Sequence, residues 1–83
     1  MFFAYVAKSE AHNYFYKGHC MDLERRLKQH NAGMTTSLRK YIPLRIVYFE
    51  QFETLGEAIQ REKYFKTAAG RRFLKGKLDG LVP

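Results

Sequence analysis

Cysteine is nearly absent from this chain of 83 residues, since Cys20 is the only one. A single thiol cannot form an internal disulfide, so nothing points to an oxidising compartment, and we expect a cytoplasmic protein. Only two prolines are present, and no serine- or proline-rich stretch interrupts the sequence. We therefore expect one domain over residues 1–83, because so short a chain cannot divide its apolar residues between two cores.

Long apolar runs are also missing. No stretch could span a membrane, and the opening MFFAYVAK lacks the basic flank and the length of a signal peptide. Hydrophobic residues still make up 46% of the chain and aromatic residues 16%. That content is enough for a packed interior and argues against disorder.

Acidic residues are scarce, because eight Asp and Glu oppose fifteen Lys and Arg and the formal net charge is +7. Such a balance makes DNA or RNA the first partner to consider, although basic residues also serve solubility. Apart from Glu62, the acids fall mostly at predicted ends, turns or exposed faces. A two-metal centre, which needs several converging carboxylates, is therefore not indicated.

Two β-prone segments, residues 2–8 and 14–18, flank the polar stretch SEAHN and predict a β-hairpin. Side chains alternate along a strand, so Tyr5 and Tyr16 can lie on paired faces. Core packing is the ordinary role of a strand tyrosine. A phenol is also a poor base at neutral pH unless a nearby cation favours its ionised form.

A helix is predicted over residues 23–31, LERRLKQHN, with Asp22 as its cap and Gly33 as its stop signal. Arg26 and His30 are four residues apart and therefore neighbours on the leucine-bearing side of this helix. Arg26 suits a phosphate, because its planar fork donates two hydrogen bonds to an oxyanion.

The middle of the chain predicts a loop followed by a strand. Residues 34–43 are polar and basic, and Pro43 disfavours helix at Ile42, so we expect a loop there. Residues 44–52, LRIVYFEQF, have apolar side chains on both faces, which favours a strand at the centre of the sheet.

The last part of the chain predicts two helices. Thr54 and Glu57 have the spacing of a capping box for a helix over residues 55–66, which we expect Gly70 to end. A short helix over residues 71–80 should follow, with Phe73 and Leu74 packed inward.

Glu62 lies within the apolar stripe of the first of these helices. A buried carboxylate is costly unless it is paired or bound to a cation. A salt bridge to Arg61, Lys66 or Arg26 would explain it, and so would a divalent ion. Mg²⁺ suits a single carboxylate, because it keeps several waters and also binds substrate phosphates.

Zinc and thiol chemistry are poorly indicated. His12, His19, Cys20 and His30 lack the paired spacing of a zinc site. The adjacency of Cys20 and His19 in sequence does not imply the geometry of a Cys-His pair, so Cys20 reads as a packing residue.

The motifs FAY at 3–5, YKG at 16–18, DLERRLKQHN and EAIQREKYFK together resemble the GIY-YIG endonuclease superfamily, especially its small single-domain bacterial members. Only the tyrosines and the final glycine match the name-giving letters. The resemblance implies an α/β (α+β) domain with a central three-stranded antiparallel sheet flanked by helices. It also implies an active site made of Tyr5, Tyr16, Gly18, Arg26, His30 and Glu62.

The resemblance further implies a one-metal endonuclease acting on nucleic acid, with DNA expected and DNA repair a possible setting. Mg²⁺ or Mn²⁺ would bind Glu62, Tyr5 would help to deprotonate the attacking water, and Arg26 would stabilise charge on the phosphate. Tyr16 and His30 would orient groups or assist proton transfer. Further contacts to nucleic acid are expected from the segment Thr35–Arg39 and from His19, Arg39, Lys40, Lys63, Lys66, Arg71 and Arg72.

So small a domain has little surface for reading a long sequence, so a protein partner or a homo-oligomer would supply specificity. Two other functions stay open. One is a nucleic-acid-binding module of the same fold that no longer cuts. The other is a protein-interaction role, which leaves the ordered set of motif residues unexplained.

Overall fold

The computed structural model describes residues 1–79. Their elements follow one another as strand β1 (Phe2–Ser9), strand β2 (Phe15–Cys20), helix α1 (Leu23–Asn31), a 3₁₀ helix (Thr36–Tyr41), strand β3 (Leu44–Phe52), helix α2 (Leu55–Phe65) and helix α3 (Ala68–Lys77). Within these residues, no helix combines the length and the apolar character needed to cross a bilayer.

The three strands form one antiparallel sheet in the order β2-β1-β3, flanked by helices as the family resemblance implies. The expectation that β3 lies at the centre is wrong, because β1 holds that position and residues 4–7 are fully buried. Helices cover both faces of the sheet out to the edge strand β3, which is why its apolar residues occur on both sides. Strand β2 forms the other edge.

The two faces of the sheet carry separate cores. On one face Ala4 and Val6 pack against Phe65 of α2 and Leu74 of α3. On the other face, Tyr5 and Ala7 pack with Leu38 and Leu44, and with partly buried residues of β2 and α1. The alternation predicted for the hairpin therefore holds, and it sends Tyr5 toward α1.

Helix α1 has the predicted bounds, and its cap is confirmed, because Asp22 Oδ1 accepts a hydrogen bond of 3.0 Å from the backbone N–H of Arg25. Gly33 follows the helix with φ +79°, a backbone conformation that residues other than glycine rarely adopt. Asn31 also fixes the end of α1. Its amide accepts from Leu44 N at 2.7 Å and donates to Leu44 O at 2.9 Å, which ties α1 to the start of β3.

The predicted loop over residues 34–43 contains the 3₁₀ helix, which the sequence analysis missed. Leu38 is 1% exposed in the core beneath α1, and its N–H donates to the carbonyl of Thr35 at 2.9 Å. Burial of this one apolar side chain explains why a polar segment winds into a turn instead of extending. Pro43 follows the extended residue Ile42, as expected.

The capping box at Thr54 and Glu57 is confirmed, but the predicted role of Gly70 is wrong. Helix α2 ends at Phe65, and Gly70 lies inside α3, which begins after Thr67. Gly70 is buried against the end of α2, where a Cβ would overlap the backbone carbonyl of Tyr64. The predicted inward packing of the last helix is confirmed, whereas its final predicted residue, Gly80, lies outside the described residues.

Gly70→Ala is expected to destabilise the protein by about 1–3 kcal/mol, because the added methyl group meets backbone that cannot rotate away. Gly76→Ala is the matched control in the same helix, since a Cβ there meets nothing within 4 Å. It should stabilise by about 0.5–1 kcal/mol through helix propensity. Urea unfolding measures both changes, and equal midpoints for the two variants would contradict the packing described here.

Candidate active site

A buried hydrogen-bonded chain joins β1 to α1. The hydroxyl of Tyr5 and Nε2 of His30 are 2.8 Å apart, and His30 Nδ1 lies 2.8 Å from Thr35 Oγ1. Tyr5 and His30 are both fully buried. A neutral imidazole has one donor and one acceptor nitrogen, so Tyr5 and Thr35 together satisfy both.

This environment keeps both buried groups uncharged near neutral pH. Burial, and then the charge of Arg26, lower the pKa of His30 below its usual value. Burial, and then Tyr16, raise the pKa of Tyr5 well above its usual value, although Arg26 opposes the rise. Tyr5 therefore retains its proton, and His30 is a neutral hydrogen-bonding partner.

Gly18 leaves the space in which the two motif tyrosines meet. A Cβ on Gly18 would lie 2.7 Å from the hydroxyl oxygen of Tyr5 and 2.9 Å from Cε2 of Tyr16. The ring centres of Tyr5 and Tyr16 are 6.1 Å apart, and Tyr16 meets the ring of His30 edge-on at 5.3 Å. The backbone of Gly18 is thus in close contact with these two phenol rings.

Arg26 stands beside this cluster with no carboxylate partner among residues 1–79. Its Nη1 donates to Gln29 Oε1 at 3.1 Å, and its charge acts on both Tyr5 and His30. The guanidinium is only partly buried. Its remaining donors can therefore reach an anion from solvent.

Glu62 has two hydrogen-bonding partners. Its Oε1 lies 2.6 Å from His19 Nδ1, and its Oε2 accepts from Lys66 Nζ at 2.7 Å. Burial alone would raise the pKa of this carboxyl, which is 17% exposed, but the hydrogen bonds from Lys66 and His19 hold the pKa below its usual value. Of the predicted ion-pair partners, Lys66 is confirmed, whereas Arg61 instead makes a bidentate pair with Glu50.

The tyrosine cluster and Glu62 lie on opposite faces of the edge strand β2. Gly18 pairs with Tyr5 on the α1 side, and the next residue, His19, points to α2 and meets Glu62. In the described part of the chain, Glu62 makes no hydrogen bond to Tyr5, Tyr16 or Arg26. The hydrogen bond to Glu62 is the main cause that raises the pKa of Lys66, and Tyr16 contributes to the same rise. A substrate lying along the β2 edge would meet both sides.

The single carboxylate of Glu62 suits a hard divalent ion that keeps several water ligands. It does not suit an ion that takes all of its ligands from the protein. Across residues 1–79, no three His, Cys, Asp or Glu side chains are grouped closely enough to form a metal site. Mg²⁺ needs only one or two protein carboxylates, with waters and phosphates as its other ligands. The ammonium of Lys66 already lies 2.7 Å from one oxygen of this carboxylate.

The basic residues predicted to contact nucleic acid are not equivalent. Arg39 Nε donates to Gly33 O at 2.7 Å, and Lys40 lies over the ring of Tyr41 at 5.1 Å, so both have structural contacts. Lys63, Arg71 and Arg72 are equally exposed, and their side chains form no ion pair within residues 1–79. Sequence reasoning missed Thr35 as the partner of His30, because spacing alone does not reveal a turn that folds back onto a helix.

Acid is expected to destabilise the fold through His30. The folded-state pKa of His30 lies below the unfolded value of about 6.5, so the unfolded chain binds more protons. Stability contributed by neutral His30 is therefore complete above about pH 6.5 and falls as pH drops toward the folded pKa. Unfolding free energies measured between about pH 5 and pH 8, on either side of the usual histidine pKa, give the dependence of stability on pH.

The dependence of the unfolding free energy on pH should become weaker in His30→Gln. It should persist in His12→Gln, because His12 is exposed. An unchanged slope in His30→Gln would show that another group is responsible.

Comparison with known proteins identifies the family of this chain. A family model described as the GIY-YIG catalytic domain matches residues 1–75. The chain is 40% identical over 65 residues to the UPF0213 protein lwe0147 of Listeria welshimeri, covering 77% of this chain and 71% of that one. It is also 40% identical over 65 residues to the UPF0213 protein YazA of Bacillus subtilis, covering 77% and 65%.

A UPF0213 protein of Staphylococcus aureus is 32% identical over 74 residues, covering 88% of this chain and 89% of the relative. No solved structure matches the chain significantly. The resemblance found in the sequence motifs is confirmed by the family match over almost the whole chain. The chain belongs to the GIY-YIG family, a nuclease superfamily whose substrates are nucleic acids and whose members generally use a divalent metal.

Proposed function

We propose that this chain is a metal-dependent endonuclease that hydrolyses phosphodiester bonds, with DNA as its expected substrate. One observation carries the proposal. Two phenols pack against Gly18 on an edge strand, beside a neutral imidazole and a guanidinium that has no carboxylate partner among residues 1–79, and an ionised carboxylate lies on the other side of that strand.

Arg26 supplies the positive charge on the α1 side. Its guanidinium can donate two parallel hydrogen bonds to a phosphate, and it is not already neutralised by a carboxylate of the described residues. It binds the scissile phosphate and stabilises the charge that develops there during attack.

Glu62 is the residue that would hold Mg²⁺ or Mn²⁺, because its carboxyl stays ionised at neutral pH. When bound, such an ion acts as a Lewis acid on the phosphate. Lys66 and His19 orient the carboxylate, and they compete with the ion for its two oxygens.

Tyr16 is the phenol that can meet the attacking water. The family resemblance led us to assign that task to Tyr5, but Tyr5 has no exposed surface and a raised pKa. Tyr16 is partly exposed at the edge of the sheet. We therefore assign orientation of the water to Tyr16, whereas Tyr5 and Thr35 position His30.

Cutting is tested with branched, nicked, single-stranded and duplex DNA and with RNA, in Mg²⁺ or Mn²⁺. Glu62→Gln and Arg26→Ala are expected to lose at least about a hundredfold in rate, as when a charge-stabilising donor is removed. The matched controls are Glu53→Gln and Arg25→Ala, which change exposed residues of the same types and should cut like wild type.

Two outcomes would overturn the proposal that the chain is a nuclease. Tight, salt-sensitive binding without cutting under any condition would identify a binding module of the same fold. Absence of binding even at low salt would favour a protein-interaction role. Undiminished cutting by Glu62→Gln would reject Glu62 as the metal ligand while leaving the nuclease activity itself in place.

The two tyrosines are separated by comparing Tyr16→Phe with Tyr5→Phe. Tyr16→Phe should lower kcat with little loss of stability, because its hydroxyl acts on the water. Tyr5→Phe should cost about 1–3 kcal/mol of stability, because a nitrogen of buried His30 loses its partner. Rate and urea-unfolding measurements on both variants decide the matter, and a stable but inactive Tyr5→Phe would return the catalytic role to Tyr5.

A further inference from the structure

A cleft of about 240 Å³ opens between β2 and α3, on the face of the sheet opposite Tyr16. Aliphatic residues of β1 and α3 form its floor together with the ring of Phe15, and Lys17, Arg71 and Lys75 form its rim. Its volume is smaller than the roughly 300–1,000 Å³ typical of sites for drug-sized ligands. A single planar ring system is therefore a more suitable occupant.

The rim carries positive charge that the described residues leave unneutralised. Lys17, Arg71 and Lys75 make no ion pair within residues 1–79, and no carboxylate is among the described residues that line the cleft. Burial, and then the charges of Arg71 and Lys66, lower the pKa of Lys17. The ammonium of Lys8 lies 5.9 Å from the centre of the Phe15 ring and adds a further cation nearby. An anion bound at the rim would relieve this repulsion.

The cleft adjoins the candidate active site across one strand. Lys17 stands between Tyr16 and Gly18 on β2, and its side chain points to the opposite face, opposite Val6 in the strand pairing. Lys66 connects the two regions, because it pairs with Glu62 and also acts electrostatically on Lys17. A nucleic-acid strand crossing the β2 edge can contact both.

We propose that this cleft binds one unpaired base of the nucleic-acid strand that is cut, close to the scissile phosphate. The base rests against Phe15 and the aliphatic floor, and Lys17 and Arg71 hold the phosphates on either side of it. Aromatic contact combined with a basic groove is the general way in which proteins hold single strands. A paired base cannot enter such a cleft without leaving the helix.

This inference rests on the proposed function and makes it more specific, because it predicts a substrate with an unpaired nucleotide beside the cut. Binding is measured by fluorescence anisotropy in EDTA, with a labelled duplex carrying one unpaired nucleotide and a fully paired duplex of otherwise identical sequence. Wild type should bind the first at least about fivefold more tightly, the lower limit for stacking of one base on an aromatic ring.

Three variants separate the contributions of stacking and charge. Phe15→Leu should remove the preference for the unpaired nucleotide and leave the salt dependence of binding unchanged. Lys17→Ala and Arg71→Ala should each weaken binding and reduce the salt slope by about one. Arg25→Ala is the matched control for Arg71→Ala, because Arg25 is exposed and does not line the cleft, and it should leave the affinity and the salt slope unchanged.

Equal affinity of wild type for the two duplexes would overturn the proposal, and so would a preference that survives in folded Phe15→Leu. Thermal unfolding checks that each variant is folded, since Phe15 packs against the core. If Phe15→Leu unfolds, the affinities of Lys17→Ala and Lys28→Ala for the duplex with the unpaired nucleotide are compared. Only Lys17→Ala should bind more weakly, because Lys28 is exposed and does not line the cleft, and equal affinities of the two variants would overturn the proposal. If the protein never cuts but prefers the unpaired nucleotide, the nuclease function is rejected and the base-binding cleft is supported. If it cuts without that preference, the nuclease function is supported and the base-binding cleft is rejected.

Discussion

The packing of two tyrosine rings against the bare backbone of Gly18 is the contact on which the candidate site depends. It closes the space between β1 and β2 on the α1 side, and it brings Tyr5 to His30 and Tyr16 to the edge of that imidazole. A side chain at Gly18 would separate these groups. The glycine is therefore required for room, because its φ is not in the left-handed region that Gly33 occupies.

Burial gives the two tyrosines different chemistry. Tyr5 is enclosed at the central strand, where a charged phenolate would be poorly solvated, so it serves as a fixed hydrogen-bonding partner of His30. Tyr16 lies on the edge strand and retains access to solvent. The order of the strands in the sheet thus decides which phenol is available to a substrate, although each tyrosine belongs to one of the two name-giving motifs.

The fold also determines which charged side chains are paired with one another and which are available to a ligand. Glu50 and Glu62, the partly buried carboxylates of β3 and α2, are paired with basic groups, Glu50 with Arg61 and Glu62 with Lys66 and His19. Cations that have no carboxylate partner among residues 1–79, including Arg26 on one side of β2 and Lys17 on the other, lie beside the same edge strand. A net charge of +7 says only that a polyanion is attracted, whereas this arrangement says where it is expected to lie.

The sequence alone determined the hairpin, the bounds and cap of α1, the capping box of α2 and the family to which the chain belongs. These features depend on alternation, helical period and short-range hydrogen bonds, which involve residues close together in the chain. Tertiary structure decided that β1 is central, that Gly70 lies inside α3, that Tyr5 is sealed from solvent and that His19 meets Glu62. Those outcomes depend on contacts between distant segments, 43 residues apart for His19 and Glu62, and no local pattern encodes such a distance.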